Sequence, residues 1–72
     1  MATDERVSCL KVVTLKDDYI FYGEDAENVF ESIFMSGARG AEWSRPVRLR
    51  DGFEITFVLD NIISFSFRRG RP

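Results

Sequence analysis

The hydrophobic pattern begins with a run rich in β-branched and aliphatic residues, Val7, Val12, Val13, Thr14 and Leu15. Such residues suit a pleated, half-buried surface, so the run predicts a strand over Val7 to Leu15. Lys16, Asp17 and Asp18 interrupt it with a turn. Tyr19 to Tyr22 is a short aromatic and β-branched run closed by Gly23, and the two runs together predict a β-hairpin.

The period then changes. Ala26, Val29, Phe30, Ile33 and Phe34 fall at i, i+3, i+4, i+7 and i+8, which places all five on one helical face. Asp25 is the expected N-cap, and Glu24, Glu27 and Glu31 put negative charge near the positive end of the helix dipole. Gly37 is expected to end the helix in a left-handed conformation, with Gly40 in the loop that leads to Trp43. About a dozen helical residues follow from these limits.

After Pro46 the pattern predicts a meander. Val47 to Leu49 turns at Arg50-Asp51-Gly52, where Asp-Gly is a hairpin signal. In the next strand Phe53, Ile55, Phe57 and Leu59 share one face, while Glu54, Thr56 and Val58 share the other. Asp60-Asn61 supplies a second turn, and Ile63, Phe65 and Phe67 then alternate with Ser64 and Ser66.

The expected architecture is a single α+β domain over residues 1–72 in the order ββαβββ. One amphipathic helix packs on an antiparallel sheet of four to five strands, with tails at 1–6 and 69–72. Its core would join Val29, Phe30, Ile33 and Phe34 of the helix to Phe53, Ile55, Phe57, Leu59, Ile63, Phe65 and Phe67.

That core does not absorb every apolar residue. Leu10, Val12, Ile20, Tyr22, Trp43, Val58 and Ile62 lie wholly or partly off it, and both faces of Cys9–Val13 and Tyr19–Tyr22 are apolar. A sheet with one wet side does not require this. Either the sheet curls into a partial barrel or a second surface covers the apolar face. The second reading makes Leu10, Val12, Ile20, Tyr22 and Trp43 interface residues of a homodimer or small ring, which Val12→Asp should split.

Composition narrows the chemistry. The 72 residues are 44% hydrophobic and 31% charged, with one cysteine and no histidine. Cys9 therefore has no internal disulfide partner, and a lone cysteine fits a reducing cytoplasm. Apolar stretches of four residues, as in Tyr19–Tyr22, fall far below the about 20 needed to span a bilayer, and polar Met1–Arg6 does not resemble a signal peptide. A serine or cysteine nucleophile would have only a carboxylate, Lys11, Lys16 or the terminal amine as its base. The pairs Asp17-Asp18, Glu24-Asp25 and Asp60-Asn61 sit at turns or caps, where acidic residues are wanted anyway. Gly37-Ala38-Arg39-Gly40 has neither a dinucleotide fingerprint nor a P-loop. No catalytic residue, metal site or cofactor is expected.

Charge is divided along the chain. Met1–Ser36 carries three cations against eight anions, and Gly37–Pro72 carries seven cations, all arginine, against four anions. Arginine's planar fork suits carboxylates and phosphates, so Arg45, Arg48, Arg50, Arg68 and Arg69 are candidate contacts to an anion or a partner. Val47–Gly52 through Leu59-Asp60-Asn61 is similar to the strand-turn-strand of Sm-like RNA-binding proteins. The Asp and Asn that flank the base site are spaced apart in that family and adjacent here, and the resemblance goes no further.

The expected function is a non-enzymatic protein-interaction or regulatory module. It acts by surface binding as a homo-oligomer and also contacts another protein. The alternative is a single-stranded nucleic-acid-binding protein that uses the arginine half. A net charge of −2 weighs against that alternative.

Overall fold

The computed structural model describes residues 6–70. Its elements are β1 (Val7–Thr14), β2 (Asp18–Tyr22), α1 (Gly23–Ala38), β3 (Val47–Arg48), β4 (Glu54–Ile55), a 3-10 turn at Leu59–Asn61 and β5 (Ile62–Arg69). The α+β class and the ββαβββ order are as read from the sequence. The five strands divide into an antiparallel sheet of three, in the order β2-β1-β5, and a small two-stranded sheet of β3 and β4.

β1 is the central strand because both of its neighbours supply apolar partners on the helix side. Leu10 lies opposite Phe21 and Phe67, and Val12 lies opposite Tyr19 and Phe65. A β-bulge makes this face continuous. Val7 pairs with Arg69 and Cys9 with Arg68, so Ser8 is an extra residue, and Val7 turns to the same side as Leu10 three positions later. Val7, Leu10 and Val12 are all buried there, beneath Ala26, Val29 and Ile33 of α1. Two helix residues tie down backbone beyond the helix: Glu27 Oε1 accepts the N–H of Val7, the first residue of β1, at 2.6 Å, and Asp25 Oδ1 accepts the N–H of Arg50, in the turn after β3, at 3.1 Å.

α1 starts at Gly23, whose φ of 62° lets the chain turn out of β2 directly into the helix. Asp25 is therefore not the N-cap. The cap is Tyr22, without a side-chain hydrogen bond, and Asp25 lies in the first turn. Nor does Gly37 end the helix, which runs for 16 residues to Ala38. Gly40, with φ of 75°, takes the left-handed position, and the Ala41 N–H returns to the Ser36 carbonyl. The last turn persists because Ser36 is buried and its hydroxyl accepts the Arg45 N–H at 3.1 Å.

Phe53–Leu59 is not one strand. Val47 pairs with Ile55 and Arg48 with Glu54, but beyond Ile55 the chain is held by the loop after α1. There the Ser44 hydroxyl accepts the Phe57 N–H at 2.7 Å, the Ser44 N–H donates to the Phe57 carbonyl, and Trp43 bridges Val58. This seats Phe57 in the core, edge-on to Tyr19 and Phe21. The 3-10 turn then redirects the chain, so β5 pairs with β1 and not with its neighbour in sequence.

The core consequently differs from the one expected. Val7, Leu10, Val12 and Phe21 supply its strand side, while Phe34, Phe53, Ile63 and Phe67 are exposed. Arg69, expected in a tail, belongs to β5, and the Gly70 N–H donates to the Arg6 carbonyl. The remaining tail assignments, 1–5 and 71–72, lie outside the described residues.

Candidate interaction surface

Opposite the helix, the sheet face carries the rows Tyr22–Cys9–Arg68, Ile20–Lys11–Ser66 and Asp18–Val13–Ser64. Ile20 and Tyr22 are exposed on it and Cys9 is half-buried. The five residues expected at an interface therefore separate. Leu10 and Val12 are 0% exposed and belong to the core, a correction that follows from α1 covering the face they occupy. Trp43 is exposed but stands on the loop after α1, outside the three-stranded sheet.

A second apolar surface, not foreseen, lies where α1 meets β5. Phe30 packs against Phe67 at 4.6 Å between ring centroids and against Phe65 at 6.0 Å, and Phe34 stacks on Phe30 at 5.9 Å. The Arg69 guanidinium covers Phe67 and Phe30 at 5.3 and 5.7 Å. Further along, a groove of about 650 Å³ runs between Ile33, Phe34 and Gly37 of α1 and Leu59, Ile62 and Ile63. Phe34 and Ile63 are 59% and 63% exposed at its rim. Ile63 shares this side with Phe65 and Phe67 by simple alternation, and a second bulge interrupts the pairing just there. Val13 pairs with Ser64 and Thr14 with Ile62, so Ile63 is the extra residue. The alternation of β5 was legible in the sequence. That α1 would cover it only partly was not.

The candidate arginines do not converge on one place. Arg45 and Arg48 line a groove of about 390 Å³ between α1 and the chain before β3, joined by Arg39. Its wall is fixed by Ser32, whose hydroxyl donates to the Arg45 carbonyl, and by Ser36. The sequence pattern alone places Arg39 in the Gly37–Gly40 loop. Its spacing of i, i+4, i+7 from Ser32 and Ser36 places it on their face once the helix reaches Ala38. Arg48 lies 3.4 Å from Glu54 in an exposed pair, and Glu31 also borders the groove.

Arg50 is structural. Its Nη2 donates to the Tyr22 carbonyl at 3.2 Å, and its Nε lies 3.7 Å from Asp25 Oδ1. Arg68 and Arg69 stand at the end of β5, on opposite faces of the sheet.

Among the described residues, no three His, Cys, Asp or Glu side chains come together as a metal-binding group, and no helix is long and apolar enough to cross a membrane. Fold and surfaces define a small α+β domain with one helix on a three-stranded antiparallel sheet. No protein-family model, no curated protein and no solved structure matches the chain.

Proposed function

We propose that this chain is a non-enzymatic protein-interaction module that works as a homo-oligomer and presents to other proteins the surface that oligomerisation leaves open. The observation that supports this most is the number of large apolar side chains a single copy leaves exposed. Ile20 and Tyr22 lie on one sheet face, and Phe34, Ile63 and Phe67 lie along the α1–β5 flank. Isolated exposed apolar residues are ordinary, but neighbouring groups of them on so small a domain mark contact surfaces. Light scattering at micromolar concentration tests the reading: a mass above 8.3 kDa supports it, and a constant 8.3 kDa on concentration contradicts it.

The nucleic-acid reading has one observation in its favour, the groove bordered by Arg39, Arg45 and Arg48. Oligonucleotide affinity that falls steeply with salt, and that falls again on replacing Arg45 and Arg48, would favour it over the protein-interaction reading.

A further inference from the structure

We infer that β5 is the self-association edge, pairing with β5 of a second copy about a two-fold axis through Phe65. The inference rests on the homo-oligomer reading and specifies its geometry. β5 is eight residues long and forms one edge of the three-stranded sheet. Past the bulge at Ile63, residues Ser64 to Arg68 run in regular register with β1, and such an open edge is a template for another strand. The opposite edge is β2, which is shorter and ends where Arg50 bonds the Tyr22 carbonyl.

The sequence of β5 is complementary to its own reversal. With Phe65 on the axis, antiparallel pairing sets Phe67 against Ile63 of the second copy, so two exposed apolar side chains cover each other, twice by symmetry. Ser64 meets Ser66 of the second copy on the other face. Charge agrees with this direction. β5 follows Asp60 and ends in Arg68-Arg69, so an antiparallel copy brings the arginine end of each strand beside the aspartate end of the other. A parallel copy would place arginines beside arginines. Phe34, at the rim of the groove beside Ile63, lies next to the new contact.

Cysteine trapping tests the edge and its register together. Ser64→Cys and Ser66→Cys are prepared separately in the Cys9→Ser background, all at positions outside the helix-covered core. Directly opposed residues come within about 4.5–5.5 Å at Cβ, whereas diagonal neighbours stay about 7–8 Å apart, too far for a disulfide. Mild oxidation of the mixed variants should give cross-linked dimers, while each variant alone should give few. Cross-linking of Ser64→Cys alone or Ser66→Cys alone would move the axis and overturn the register.

A wild-type chain of doubled mass whose mixed variants do not cross-link would overturn the β5 edge while leaving self-association standing. A wild-type mass fixed at 8.3 kDa would overturn both. In the same series Ile63→Asp should weaken dimerisation at least about ten-fold, since two apolar contacts are lost per dimer. Unchanged dimerisation would contradict the proposed pairing.

Discussion

Asp25 binds Arg50 through its backbone more than through its charge. One carboxylate oxygen accepts the Arg50 N–H at 3.1 Å and lies 3.7 Å from Nε, and the Asp25 side chain is mostly buried while that of Arg50 is mostly exposed. The two substitutions should therefore differ. Asp25→Ala removes the acceptor for the N–H and should cost about 1.5 kcal/mol in urea unfolding. Arg50→Ala keeps that bond and loses two exposed side-chain contacts, the ion pair and the bond to the Tyr22 carbonyl, which together should cost only about 0.5–1 kcal/mol. Equal losses would mean that the guanidinium, and not the backbone, carries the contact.

Val12→Asp should unfold the chain. Val12 has no exposed surface and packs between β2, β5 and α1, so the carboxylate would lose its water with no cation beside it. That penalty is several kcal/mol, comparable to the whole stability of roughly 5–15 kcal/mol expected of a small domain. Circular dichroism should show loss of structure. A folded monomer would instead restore Val12 to the contact surface the sequence suggested.

These two sites mark what the sequence could and could not reveal. Local patterns were legible: the β1–β2 hairpin, the helical face from Ala26 to Ile33 and the Asp51-Gly52 turn all appear where their spacing put them. Long-range partners were not. The bulge at Ser8, which turns Val7 inward, has no local signature, because it follows from pairing with Arg68 and Arg69 some 60 residues away. The same pairing makes β1 central, and α1 over one of its faces buries Val7, Leu10 and Val12 without any barrel. Strand alternation from Phe53 to Leu59 misled because a side-chain hydroxyl, Ser44, replaced a strand partner at Phe57. Of the candidate contacts, Ile20, Tyr22 and Trp43 are exposed, and so are Phe34, Ile63 and Phe67, which the alternation and helical spacing place in the core.

Ser44 is correspondingly sensitive. It is buried, its hydroxyl accepts the Phe57 N–H, and its carbonyl accepts the Thr56 hydroxyl. Ser44→Ala leaves the Phe57 N–H without its acceptor and should cost about 1–3 kcal/mol in chemical denaturation. A neutral result would show that another group takes that bond.

Glycine substitutions test the helix end. Gly37 is helical and a Cβ there meets nothing within 4 Å, so Gly37→Ala should stabilise the chain by about 0.5–1 kcal/mol. Gly40 has a φ of 75°, and Gly40→Ala should destabilise by about 1–2 kcal/mol. The opposite signs should be visible as thermal shifts in opposite directions. Reversed signs would return the helix end to Gly37.

Self-association through β5 is tested most directly by sedimentation equilibrium of the wild type, Ile63→Asp and Ile20→Asp at matched micromolar concentrations. Both substituted residues are exposed in the single copy, so each variant should fold. The wild type and Ile20→Asp should sediment at twice 8.3 kDa, and Ile63→Asp should shift toward 8.3 kDa. A wild type that stays at 8.3 kDa, or dissociation by Ile20→Asp with Ile63→Asp unaffected, would contradict the account.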